Sequence, residues 1–181
     1  MGFRFDVLKE SVEWAEGLYE VAQKLSIRLE DKAQQTSTMA GLFLAAAFGF
    51  LKPDNAVLIG SHRWVTGLMT FAVVMFLLCL GCCLSVTWLR PGPMPLGLKV
   101  LSEVNEDLLK RSEEELTDRY KENYLRDRLN LWDDIINKRT RVNEDKALRL
   151  RIAQTLLAVG MSTVGILLFI VIRSILIRAK V

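Results

Sequence analysis

WVTGLMTFAVVMFLLCLGCCLSVTWL, residues Trp64 to Leu89, runs for 26 residues without a charged side chain. The hydrocarbon layer of a bilayer is about 30 Å thick and a helix rises about 1.5 Å per residue, so about 20 apolar residues suffice to cross it. This stretch is long enough to cross with tilt. A second charge-free stretch, IAQTLLAVGMSTVGILLFIVI (Ile152 to Ile172), has about the minimum comfortable length. A third, TSTMAGLFLAAAFGFL (Thr36 to Leu51), has 16 residues between Lys32 and Lys52, the lower limit for a span. The first of these stretches begins some 35 residues into the chain, after a charged, helical-looking segment, unlike a removable signal peptide with its short basic leader.

The 181 residues are 51% hydrophobic and 25% charged, and the two kinds are segregated rather than mixed. Leu98 to Arg151 holds most of the acidic residues and about half of the basic ones. That segregation predicts an all-α integral membrane protein. Three transmembrane helices are expected at 36–51, 64–89 and 152–173, with an amphipathic helix over 1–35, a short external loop over 52–63 and a basic tail over 174–181. Between the second and third spans, residues 90–151 read as a proline-rich elbow followed by a cytoplasmic helical hairpin.

Local signals set these bounds. Between Phe5 and Lys32 apolar residues recur at helical spacing with no proline, so one nearly continuous helix is expected to run into the first span. Lys52-Pro53 ends it, because the residue before a proline is pushed out of helical geometry. RPGPMPLG (Arg90 to Gly97) carries three of the four prolines and two glycines, which no helix survives. From Leu98 onward there is no proline, and no glycine before Gly160. About 50 residues of unbroken helix would be roughly 75 Å long, so a reversal is expected near Asp127 to Asn130. Tyr120, Tyr124, Trp132 and Ile136 mark the adhesive face of this region.

Lysine and arginine near span ends favour the cytoplasm. With the N-terminus inside, the cytoplasmic flanks hold ten such residues (Lys24, Arg28, Lys32, Arg90, Lys99, Arg139, Arg141, Lys146, Arg149, Arg151), against five outside (Lys52, Arg63, Arg173, Arg178, Lys180). A multi-pass protein with a cytoplasmic N-terminus is expected. The net charge of +3 comes from interspersed signs, which argues against binding a nucleic-acid polymer.

Candidate chemistry is sparse. Cys79, Cys82 and Cys83 include a CxxC spacing, but a thiolate in hydrocarbon is strongly disfavoured and a four-ligand zinc site would need partners the chain lacks, so packing explains them better. His62 is the only histidine and has no positioned partner for catalysis. Glu113, Glu114 and Glu115 among repeated lysines and arginines read as a solvated helix face. No glycine-rich phosphate loop occurs, no cofactor is indicated, and an intramembrane enzyme is disfavoured for want of charged pairs in the spans. Small residues are more informative. Gly41, Ala45 and Gly49 fall four apart on the first span, and Gly160 and Gly165 give the last span a looser strip; such strips let helices approach closely, within one chain or between subunits. Arg173 ends the third span, where snorkelling to headgroups or lining a water-filled path would explain it. Asp31 and Lys32 mark the membrane interface on the first helix and are placed to pair with the returning cytoplasmic helix.

Four features resemble the Pycsar effector membrane family, small multi-span effectors of antiphage defence. They are the helix ending in RLEDKAQQTSTMAGLFLAAAFGFL, with Asp31-Lys32-Ala33 ahead of the first span; WLRP (Trp88 to Pro91) closing the second; the cytoplasmic helical stretch; and EDKALRLRIAQTLLAVG leading into the last span. The resemblance implies an inner-membrane protein that responds to a nucleotide signal made during phage infection and impairs the membrane. A cyclic-nucleotide-binding domain is missing from the pattern, so sensing falls to a partner sensor protein or to the helical cytoplasmic part, and no ligand residue carries over. The expected partners are the lipid bilayer, further copies in a homo-oligomer, and a nucleotide second messenger or its sensor. The alternative is a non-toxic membrane scaffold or adaptor that recruits a soluble partner through its cytoplasmic helices.

Overall fold

The computed structural model describes residues 2–50, 63–89 and 118–178. These residues are all helical, with no strand among them: α1 is Gly2–Phe50, α2 is Arg63–Trp88 and α3 is Asp118–Arg178. Of the expected loop over 52–63, Arg63 instead opens α2 and the rest, His62 included, lies outside the described set, as do the proline-rich elbow, residues 98–117 and the last three residues.

α1 is a single 49-residue helix, as the absence of a breaker dictates. α3 corrects an expectation. It runs for 61 residues with no reversal near Asp127 to Asn130, and Asn130 sits exposed within the helix instead of capping a new one. No proline or glycine interrupts 118–159, and length alone does not bend a helix whose one face is packed all along. The expected hairpin is therefore not formed within 118–151, and any first arm of it falls on residues outside the described set. α2 and α3 are long and apolar enough to cross a membrane.

The chain divides into two compact units, one of Met1–Ile27 with Arg90–Asp145 and one of Arg28–Leu89 with Lys146–Val181. In the second unit three helices meet in layers. Ala33, Val86 and Leu150 form one, backed by Leu29. Ala40, Cys79, Cys83 and Ala153 form the next. Beyond it Phe43 stacks on Phe76, centroids 5.7 Å apart, and Phe76 covers Gly160. Residue numbers rise together on α1 and α3 and fall on α2, so α1 and α3 are parallel and α2 is antiparallel to both.

The buried positions recur at alternating three- and four-residue intervals: Ala72, Phe76, Cys79, Cys83 and Val86 on α2, and Ala33, Thr36, Ala40 and Ala47 in step on α1. That is the 3.5-residue repeat of interlocking helices. The α1 seam is built of alanine and threonine, small enough to let the backbones approach closely. Hydroxyls within the apolar stretches are satisfied by their own helices: Thr36, Thr70, Thr155, Ser162 and Thr163 each donate to the carbonyl four residues back.

Candidate functional site: polar pairs of α1 and α3

In the first unit the facing sides of α1 and α3 carry polar and aromatic residues at three- and four-residue intervals. Val12, Ala15 and Tyr19 are buried on α1, and Ile135, Arg139 and Asn143 on α3. Arg128 donates to Glu16 Oε1 at 2.7 Å. Tyr19 tilts against Trp132, ring centroids 5.4 Å apart. The Arg139 guanidinium lies 4.7 Å from the centroid of the Tyr19 ring and donates to its hydroxyl. Asn143 Nδ2 donates to the Ala22 carbonyl at 2.8 Å. Two buried atoms here, Arg139 Nε and Asn143 Oδ1, have no hydrogen-bond partner in the chain among the described residues.

Arg139 is only 6% exposed, so Tyr19 carries much of its compensation as ring and as acceptor. Tyr19→Phe keeps the ring and removes the acceptor. It is expected to lower stability by about 1–2 kcal/mol, whereas Tyr19→Leu, which removes both, costs more. Thermal melts of the detergent-solubilised chain check the order; equal melts for the two variants would refute it.

The second unit holds one pair of another kind. Lys146 has no exposed surface, and its Nζ donates to Glu30 Oε1 at 2.5 Å, while Glu30 is 42% exposed. Burying an ammonium costs several kcal/mol unless it is paired and hydrogen-bonded. Lys146 precedes Leu150 by about one turn, so the pair lies one turn outside the Ala33–Val86–Leu150 layer.

The residues singled out from sequence fare unevenly. Trp132 is half-buried against Tyr19; Tyr124 and Ile136 are half-buried, and the fully buried neighbour is Ile135. Tyr120 is helical, but its side chain lies outside the described set. Asp31 and Lys32 are exposed, and Glu30, one position earlier, makes the contact to the returning helix. Arg173 is exposed near the end of α3. Gly160 is a packing glycine, but a side chain added at Gly41, Gly49 or Gly165 would meet nothing within 4 Å, and Ala45 is exposed. Ala33, Ala40 and Ala47 do the packing within the chain that those small residues do not.

Cys79 and Cys83 are buried, free thiols in the core layer with Ala40 and Ala153. Among the described residues no group of three His, Cys, Asp or Glu side chains could hold a metal ion. What the arrangement offers is mechanical and electrostatic: charges held between two parallel helices, each of which passes unbroken from a charged to an apolar stretch. No family model matches this chain, and neither a curated protein nor a solved structure is significantly similar to it.

Proposed function

We propose that this chain is a three-span inner-membrane effector that assembles with copies of itself and impairs membrane integrity on receiving a signal, as the resemblance to antiphage effectors implies. The observation that carries the membrane reading is the outer face of α2. Trp64 and Trp88, at its two ends, are 85% and 83% exposed, and Phe71, Leu77, Leu78 and Leu84 lie exposed between them. The two indoles are 24 residues apart, about 36 Å along the helix, matching a hydrocarbon layer with its interfacial aromatic belts. An apolar face of that size in water would aggregate. Ile166, Leu168, Phe169, Ile170 and Ile172 make a similar exposed surface on α3.

The layers from Ala33 to Phe43 line α1 up along α2, which supports a first span despite its short apolar stretch. Since α1 and α3 are parallel, both enter the bilayer from one side, and the eight basic residues counted ahead of those two spans favour the cytoplasm. Neither long helix has a flexible joint, so a twist or shift of its charged part is passed to its apolar part. A signal that binds two packings unequally, whether a nucleotide second messenger or a sensor protein, shifts the population between them.

Induced expression of the full chain in bacteria, followed with a potential-sensitive dye, tests the proposal. The expected result is a membrane-bound protein, resistant to alkaline extraction, whose activation collapses the potential and arrests growth. A chain that stays in the membrane, leaves the potential intact under infection and co-purifies with a soluble protein would establish the adaptor reading instead.

A further inference from the structure

We infer that α1 carries a second helix-docking seam, uncovered among the described residues, which receives the same seam of a second copy. Val7, Trp14, Leu18, Val21 and Leu25 are 44%, 69%, 36%, 63% and 48% exposed. With Ser11, whose hydroxyl is turned back onto the Val7 carbonyl at 2.7 Å, they follow one another at intervals of four, three, four, three and four residues. This is the same 3.5-residue repeat as the buried seam Val12–Ala15–Tyr19 on the neighbouring face of the helix, a spacing that fits a partner helix over its whole length. From Val7 to Leu25 the seam extends about 27 Å. It ends at Arg28, which is exposed.

The occupant is argued from what the rest of this unit presents. The outer side of α3 over 122–145 is charged, with Arg126, Asp127, Asp134, Lys138, Arg141 and Glu144 exposed and Leu131, at 37%, the one large apolar side chain exposed there among the described residues. A neighbour's α3 would therefore cover an apolar seam with charge. The matching surface is α1 itself. This step rests on the membrane reading above: copies inserted in the same sense have parallel α1 helices, so a two-fold contact sets the seams side by side in register. Parallel pairing then sets Glu10 opposite Ala15 of the second copy and Gly17 opposite Ala22, with no like charges across the contact and small residues where the backbones come close. Trp14, large and mostly exposed, is the anchor expected at such a contact.

Single cysteines report on the seam in the full-length protein in nanodiscs, with the parent chain controlling for its native thiols. Val21→Cys should form a disulfide-linked dimer on mild oxidation, and Glu20→Cys, exposed but on another face, should not. Val21→Glu combined with Trp14→Glu should lose the dimer in native mass measurements. Cross-linking that is absent, or equal at both positions, overturns the seam. So does a link within one chain between Val21→Cys and Leu108→Cys, which would give the face to residues 98–117. If the Val21→Cys dimer is lost while depolarisation persists, the effector reading stands without this contact; if the dimer forms and the potential never falls, the contact stands without that reading.

Discussion

Glu30→Met should lower the stability of the solubilised protein by about 2–3 kcal/mol, while Lys146→Met should leave it within about 1 kcal/mol of the parent. The two substitutions break the same hydrogen bond, and the asymmetry follows from what each leaves behind. Removing Glu30 deprives a fully buried ammonium of its carboxylate. Removing Lys146 leaves a carboxylate that is already 42% exposed and can be hydrated where it stands. Because one partner is that exposed, the loss belongs below the 3–5 kcal/mol typical of fully buried pairs. Denaturant titration in detergent measures both variants, and the double variant should resemble Lys146→Met. A Lys146→Met chain less stable than Glu30→Met would contradict this account. The consequence for the proposed effector role lies in register: the pair fixes α1 against α3 at the start of their apolar parts, so on that proposal Glu30→Met should also change the signal needed for depolarisation.

How far the residues announce this architecture differs from element to element. α2 is legible because every residue from Trp64 to Leu89 is compatible with lipid, and a property shared by all residues needs no knowledge of which face is packed. α1 is legible as one helix for want of a breaker. α3 is half legible: its helical character follows from its spacing, but the expected reversal came from length, and length carries no bending force. The faces are where sequence reasoning falls short. Gly41, Ala45 and Gly49 stand out by size and a four-residue spacing, whereas the strip packed within the chain is Ala33, Ala40 and Ala47, seven apart, following the 3.5-residue repeat of parallel helices. That repeat is hidden because its members include Ser26, Thr36, Arg139, Asn143 and Lys146, which no scan for apolar residues collects. Glu30 escapes for a related reason. Carboxylates and ammonium groups stand all along these segments, and only the seam on α3 selects Glu30 over Asp31.

Gly160 is the position where one added carbon should matter most. A Cβ there would lie 2.6 Å from Phe76 Cε1 and 3.0 Å from its Cδ1. Escape for the ring is limited, since Phe76 is fully buried and stacked on Phe43 at an interplanar angle of 16°. Overpacking of this kind costs about 1–3 kcal/mol, more than the roughly 1 kcal/mol that alanine gains over glycine in a helix. Gly160→Ala should therefore melt lower than the parent, and Gly160→Val lower still. Gly165→Ala, five residues on and with open space around it, should melt at or above the parent. Combining Gly160→Ala with Phe76→Leu should recover part of the loss, because the smaller side chain vacates the volume the new methyl needs. Equal melts for Gly160→Ala and Gly165→Ala would mean that α2 and α3 do not meet at Phe76, and the three-helix layering of the second unit would have to be redrawn from that contact outward.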